Sequence, residues 1–535
     1  MPVTTMGGTQ NGARGMLSPT KEMNGVVVAA MDLGSNSFHL AVFRVRPDLT
    51  LEPVAKEKEM LRLGEHVYRD GSFSDEAISA AVRTVAQFHA ISESFGAQVI
   101  VAKATASFRD AENAQELIDA IWARTRVKVQ VISGHEEATL IFDAIRAACH
   151  LGSRPVLGAD LGGGSLELML GDQRQLIAAR SLRLGVGRLR AKFHDEHQAA
   201  IRDYVARELG EPLATMTGYL PTRLVLTSGT MNAIGRLALA LDSEHDDRDD
   251  GLLARAVGRS ALEQAVELIL STPESERSTL KGVDERRAAT VGYGAIILGQ
   301  VLRVTALDEV WLCSWALREG IVLHEAQSQE HFAFAINSAE LRADSVRELM
   351  LRYRVDGRHA AFVARFALRL FDELSPLHGL APEARERLGV AAQLHDIGAF
   401  INRDQHDRHG QYLIMASPPR GFSRREIAVI GAIIGSHTKG EVEAPSDLDP
   451  SDLDEIQFSA ALLRLADALD RSHQQLVTDL QCSISAAAVE LDLQANSDLS
   501  AERYALRRKC RLFEGKFARR LLVTISEVGG STHHG

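Results

Sequence analysis

Residues 155–170 read PVLGADLGGGSLELML, and residues 26–43 read VVVAAMDLGSNSFHLAVF. Each is a short apolar strand, an aspartate, a glycine/serine turn and a second, alternating strand. Setting Asp32 on Asp160 also sets Leu33 on Leu161, Gly34 on Gly162 and Ser37 on Ser165. The pattern predicts a β-hairpin whose tight turn exposes backbone N–H groups. Glycine permits the unusual dihedrals of such a turn, and successive N–H groups form a nest for an anion. Serine adds a hydroxyl donor, and an aspartate at the strand end suits a hydrated Mg2+, which favours oxygen ligands. Two copies in matching strand context imply two lobes of one design, with loops that face each other and grip a phosphate chain from both sides.

Residues 74–96 (SDEAISAAVRTVAQFHAISESFG) have the period of an amphipathic helix that starts at Ser74 or Asp75 and ends near Gly96. AQVIVAKATA follows as a strand, residues 113–122 as a helix, and VKVQVI (127–132) as another strand. After the second copy, RLVLTSGTMNAIGRLAL reads as strand, glycine turn and helix. Strands alternating with helices place the first half in the α/β class.

DLGSNS and DLGGGS, followed by LTSGT, resemble the exopolyphosphatase / guanosine pentaphosphate phosphohydrolase (Ppx/GppA) family of the actin–hexokinase–Hsp70 superfamily. ATASFRDAEN (104–113), ISGHEEATLIF (132–142), RLGVGRL (183–189), GVDERRAATVGYGAIIL (282–298) and ALREGIVL (316–323) match further family segments in order. The resemblance runs over nearly the whole chain from about residue 25. One departure is CSWALREG (313–320), where Ser314 and Trp315 replace the family's usual Asp-Gly pair.

The resemblance implies two actin-like (ribonuclease H-like) lobes and a phosphoanhydride hydrolase. It implies Glu137 as the carboxylate that orients or deprotonates the attacking water, with Asp160, Glu167 and Arg109 as further catalytic residues. Asp32 and Asp160 would hold Mg2+. Gly34, Ser35, Asn36, Ser37, Gly162, Gly163, Gly164 and Ser165 would cradle phosphate, with Ser228, Gly229 and Thr230, after Thr227, as a third loop. This suits phosphoryl transfer, which depends on positioning and charge stabilisation. Glu136 adjoins Glu137, and helix neighbours point in different directions, so one of the two faces the site.

From about residue 330 long amphipathic helices dominate, such as SAELRADSVRELMLRYR and APEARERLGVAAQLHDIG. His359, the pair His395–Asp396, His409, His437 and Asp467 occur there in order, a spacing that resembles an HD-type domain. Such ligands suit a second divalent ion, a transition metal or Mg2+. The last segment contains two alternating strands, CSISAAAVELDLQ and RLLVTISEV, around a basic stretch from Arg503 to Arg520 that reads either as a solvated helix face or as a cationic wall for polyphosphate. The expected organisation is a disordered tail (1–24), lobe I (25–150, with 316–330 packing back on it), lobe II (151–315), an all-α HD-type domain (331–480) and a small α+β segment (481–535).

The 535 residues exceed one hydrophobic core and predict three or four domains. A formal net charge of −11 argues against nucleic acid or anionic membrane as partner. Cys149, Cys313, Cys482 and Cys510 form no CxxC pair and suggest a reducing compartment. No run reaches the roughly 18 consecutive apolar residues of a membrane span, and residues 1–24 lack the apolar core of a secretory signal. A cytoplasmic enzyme, plausible as a homodimer by family analogy, follows. The leading substrate is inorganic polyphosphate, and guanosine pentaphosphate is the nearest alternative. An actin-like kinase and a polyphosphate or alarmone sensor with little turnover are more distant readings.

Overall fold

The computed structural model of the protein describes residues 25–46, 51–193, 198–242, 253–328, 341–438, 440, 442, 448–495 and 497–527. The expected disordered tail lies outside these residues. The chain divides into two compact units: residues 1–132 with 321–335, and residues 133–320 with 336–535. The helix Gly134–Ala148, assigned to the first lobe in the domain boundaries above, groups by its contacts with the second unit.

The first unit is built on a five-stranded sheet of β1 (Val26–Leu33), β2 (Ser37–Val45), β3 (Leu51–Met60), β4 (Val99–Ala104) and β5 (Val129–Val131). Their order is β3-β2-β1-β4-β5. β1 and β2 form the antiparallel hairpin read from DLGSNS, while β4 runs parallel to β1 and to β5. The crossover from β3 to β4 is the helix Asp75–Ser94, which starts where the sequence placed it. Ser74 is its N-cap, and the hydroxyl oxygen accepts from the Ala77 N–H at 3.2 Å. Ala77, Ile78, Ala81, Val85 and Phe88 bury one face of this helix in the same core as Met31, Leu33 and Leu40.

The second unit repeats the plan. β6 (Val156–Leu161), β7 (Leu166–Gly171), β8 (Leu176–Leu182), β9 (Leu224–Thr227), β10 (Ala254–Gly258) and β11 (Glu309–Cys313) lie in the order β10-β11-β9-β6-β7-β8. β6, β7 and β8 form an antiparallel meander, and β9 and β11 extend the sheet in parallel. β6 thus corresponds to β1 and β9 to β4, so the repeat in sequence is a repeat in topology. All six residues of both β6 and β7 are buried, as expected for strands covered on both faces. The helix Glu285–Thr305 is long and apolar enough to cross a membrane, yet 61% of its most apolar window is buried, and Val291, Ala295, Leu298 and Leu302 belong to this core.

From residue 341 a separate core is built from helices, among them Gly357–Glu373, Pro382–Leu394, Arg424–Gly435 and Pro450–Ala468. A sheet of β12 (Val477–Ile484), β13 (Ala488–Ala495) and β14 (Arg520–Glu527) packs on it through Leu480, Val489, Leu491 and Leu493. CSISAAAVELDLQ, read as one strand, is the end of β12, a short turn and most of β13. Ser485 closes the turn, its N–H donating to the Ala488 carbonyl at 2.9 Å. The basic stretch is mostly the helix Ser500–Phe517.

Candidate active site

In the DLGGGS hairpin, Asp160 and Glu167 are direct partners across β6 and β7, so their side chains share a face. Glu137 reaches the same neighbourhood from the helix Gly134–Ala148. The three carboxylates are 7%, 8% and 1% exposed for Glu137, Asp160 and Glu167. Burial pushes the Glu167 carboxyl well above the ordinary carboxylate range, and the nearby charges of Glu137 and Asp160 push it further. Hydrogen bonds from Ser165 and Ser181 partly offset this. The Ser181 hydroxyl, on β8, donates to Glu167 Oε1 at 2.8 Å.

The two adjacent glutamates have separate tasks. Ser133 and Glu136 form a capping box: the Ser133 hydroxyl oxygen accepts from the Glu136 N–H at 3.1 Å, and the Glu136 carboxylate accepts from the Ser133 N–H at 3.4 Å. Glu136 is thereby tied to the helix start, and Glu137, next along, is the buried acid.

The loop's backbone is braced from behind by RLGVGRL. The N–H groups of Val186 and Gly187 donate to the carbonyls of Gly162 and Gly163 at 3.1 and 2.9 Å, and Arg188 Nε donates to the Gly164 carbonyl at 2.9 Å. The carbonyls are thus engaged on that side. Gly162 N–H itself donates to the Ser165 carbonyl, closing the turn.

In the first unit, Gly34, Ser35, Asn36 and Ser37 make the equivalent turn. The Ser35 hydroxyl oxygen accepts from the Ser107 N–H at 3.0 Å and from the Tyr68 hydroxyl at 2.7 Å, so it pins the loop to its surroundings. The Asn36 carbonyl accepts from the Arg62 N–H, and Ser37 Oγ lies 2.7 Å from His39 Nε2. Asp32 pairs with His39 in the strand register. Arg109, on the short helix Ala106–Asp110, donates to the Ile132 carbonyl at 2.9 Å.

The third loop turns from β9 into the helix Gly229–Leu241. Ser228 sits at φ 96° and ψ 162°, a conformation that essentially only glycine adopts freely, and its side chain accepts from the Met231 N–H at 3.2 Å. Thr227 Oγ1 donates to the Trp315 carbonyl at 2.8 Å, so the Ser-Trp departure supports this loop through its backbone. The Arg287 guanidinium lies against Gly229, where a Cβ would fall 2.7 Å from its Nη2, and the helix residue Gly294 abuts Thr230.

A second cluster forms in the helical part. His359 and His395 bring Nε2 atoms 3.2 Å apart, and His359 Nε2 lies 3.5 Å from Asp467 Oδ1. Asp396 Oδ1 lies 3.6 Å from His395 Nε2 and 3.9 Å from His437 Nε2. Burial opposes charge on His359, but Asp467 and Asp470 prevail and raise its pKa to about 9. Burial and the neighbouring His395 lower that of His437 to about 3. His409, drawn into this set by its spacing, does not join it. The ring that reaches Asp396 and His437 is that of His406, at 3.3 and 3.1 Å, on the first residue of the helix His406–Ala416. Spacing also missed Asp470, whose Oδ2 accepts from His359 Nδ1 at 2.8 Å, and Lys509, which pairs with Asp467. An aspartate three residues after Asp467 is the one sequence signal that pointed to Asp470.

A family model described as the Ppx/GppA phosphatase family matches residues 41–329, and one described as Ppx/GppA phosphatase, domain III, matches residues 341–509. The chain belongs to the Ppx/GppA phosphatase family. It is a phosphoanhydride hydrolase. Exopolyphosphatase 1 of Mycobacterium tuberculosis is 30% identical over 327 residues, covering 60% of this chain and 94% of that protein. The guanosine-5′-triphosphate,3′-diphosphate pyrophosphatase of Vibrio vulnificus is 26% identical over 429 residues, covering 79% of this chain and 82% of the relative. Among solved structures, an exopolyphosphatase from Cytophaga hutchinsonii superposes with a TM-score of 0.54 at 23% identity, over 57% of this chain and 99% of that one. This last likeness bears on the fold, which is of the actin-like kind.

Proposed function

We propose that the chain releases terminal orthophosphate from inorganic polyphosphate, with Glu137 as the base that takes a proton from the attacking water. The observation that carries this reading is the convergence of three buried carboxylates, Glu137, Asp160 and Glu167, beside a glycine turn. In the step proposed, the water oxygen bonds to the terminal phosphorus. The anhydride P–O bond breaks, the proton passes to Glu137, and the shortened chain leaves with the bond's electron pair. The N–H groups of the 162–165 loop suit the phosphoryl oxygens, as do those of 228–230 in the same unit. Arg109 is assigned to phosphate charge.

The donor set fits Mg2+. Hard carboxylate oxygens crowded enough to raise Glu167 call for a cation, and a hard divalent ion prefers such ligands. Asp160 is assigned to hold it. When bound, the ion neutralises charge developing on the phosphoryl oxygens.

Guanosine pentaphosphate is the second reading, favoured by the Vibrio relative, whose match extends well beyond the lobes. The test is phosphate release from long-chain polyphosphate and from guanosine pentaphosphate, each with wild type and Glu137→Gln. A positioned base is worth about 10²–10⁴-fold, so Glu137→Gln should lose that much on the true substrate. An unchanged rate would move the chemistry away from Glu137, and cleavage of the guanosine substrate alone would install the second reading.

A further inference from the structure

The strand registers of the second sheet place Asp160, Glu167 and Ser181 in one row. Asp160 on β6 is opposite Glu167 on β7, and Glu167 is opposite Ser181 on β8. Residues directly opposite in antiparallel strands share a face, with Cβ atoms about 4.5–5.5 Å apart. The next row on that face, Gly158, Met169 and Ala179, is apolar. The polar row is therefore confined to the end of the strands beside the glycine turn, and a half-buried serine forms its outer member.

Ser181 has two contacts of different kinds. Its hydroxyl carries one proton, which it gives to Glu167 Oε1 at 2.8 Å. The terminal torsion of a glutamate is soft, so a donor at one oxygen decides which way the carboxylate faces. The second contact is with the helix that carries Glu137. Gly134 is the first residue of that helix, and a Cβ built on it would fall 2.3 Å from Ser181 Cβ and 2.5 Å from Ser181 Oγ. Ser181 Cβ is fixed to the strand and has no freedom to swing away. Gly134 and Glu137 are three residues apart and so neighbours on one helix face, which puts the contact on the face that bears the acid. Beyond Ser181 the chain runs directly into the brace of Val186, Gly187 and Arg188 behind the 162–165 loop.

We infer that Ser181 is a positioning residue of the hydrolytic site: its hydroxyl sets the orientation of the Glu167 carboxylate beside Asp160 for a divalent ion, and its Cβ sets where the helix carrying Glu137 begins. This role rests on the assignment of that ion to Asp160 in the proposed function. The two contacts separate cleanly by substitution. Alanine keeps the Cβ against Gly134 and removes only the hydroxyl, so a serine that served packing alone would leave ion binding untouched when replaced by alanine. Groups that hydrogen-bond a metal-binding carboxylate from behind fix its direction, and their loss typically costs about 10–100-fold in affinity or activity.

The test uses the full chain, freed of metal with a chelator and titrated with Mn2+ as the probe, read by the electron paramagnetic resonance of the free ion. Asp160→Asn marks the site, since the Mn2+ that this variant fails to bind is the ion in question. For that ion Ser181→Ala should bind about 10-fold more weakly than wild type, with circular dichroism unchanged, and Ser181→Thr, which keeps a hydroxyl, should restore the affinity. At fixed Mg2+, Ser181→Ala should also lower kcat for phosphate release with KM for the phosphate substrate unchanged, and added Mg2+ should recover part of the loss. A folded Ser181→Ala that holds this ion as tightly as wild type would overturn the role of Ser181 and leave the assignments of Asp160 and Glu137 standing. An Asp160→Asn variant that binds every Mn2+ that wild type binds would overturn both the ion's assignment and the role of Ser181.

Discussion

Gly185 lies against the peptide of Gly163: a Cβ built on it would fall 2.3 Å from the Gly163 carbonyl carbon and oxygen. The obstacle is backbone, which has no flexible end to swing aside. Gly185→Ala must therefore push the 162–165 loop away from its brace, at about 1–3 kcal/mol of overpacking. The expected outcome is a fall in kcat for phosphate release much larger than the loss of stability. Equal kcat in wild type and variant, measured on folded protein, would show that the loop's position is not critical.

Glu167 gives the metal-free protein a pH dependence. Its folded pKa is raised well above the ordinary glutamate range, first by burial and then by Glu137 and Asp160. A raised group contributes stability that is fully present below the unfolded pKa and is lost as pH rises through the folded one. With a chelator present, Glu167→Gln should have a higher urea midpoint than wild type at about pH 8. The gap should close as pH falls towards about 5, and Mg2+ should also narrow it. Parallel midpoint curves would show that the carboxyl is not under this load.

How much of this was legible in the sequence depended on whether the deciding physics was local. The two glycine hairpins and the Ser74 cap rest on residues within a few positions of each other, and their patterns stand in the sequence. β3 escaped notice because it is an edge strand: LEPVAKEKEM carries Lys, Glu and Pro53, and its register shifts opposite Val42/Phe43. The β12–β13 hairpin was hidden because its turn lacks the glycine, asparagine or proline that marks most turns. His406 and His409 are three residues apart on one helix, and only the helix's placement decides which ring reaches Asp396. The Lys509–Asp467 pair joins helices 42 residues apart in sequence, a contact no local pattern announces.

Ser228 separates strain from function in the third loop. At φ 96° it occupies a glycine-type conformation that costs a non-glycine residue about 1–3 kcal/mol. Replacing a serine cap by glycine costs only a few tenths of a kcal/mol, whereas alanine costs about 1 kcal/mol. Ser228→Gly should therefore raise the unfolding free energy by about 1–2 kcal/mol, and Ser228→Ala should lower it by about 1 kcal/mol. If the hydroxyl serves phosphate, both variants should release it more slowly. A stabilised Ser228→Gly with undiminished rate would show the serine to be dispensable there.

Arg387 and Glu455 test the frame of the helical part apart from its histidines. The guanidinium donates twice to the carboxylate, at 2.6 and 2.7 Å, and joins the helices Pro382–Leu394 and Pro450–Ala468. Burial opposes charge on Arg387, but Glu455 prevails and raises its pKa. Breaking one side of such a pair leaves a charge without its partner in a largely dry place, which costs about 3–5 kcal/mol, while an apolar replacement of both sides is often neutral. Arg387→Met should then lower the urea midpoint sharply, and Arg387→Met with Glu455→Leu should recover most of the loss. At a temperature where each variant is folded, kcat/KM for phosphate release should not change. A double variant no more stable than the single one would mean that the pair contributes through packing of the arginine stem rather than through its charge.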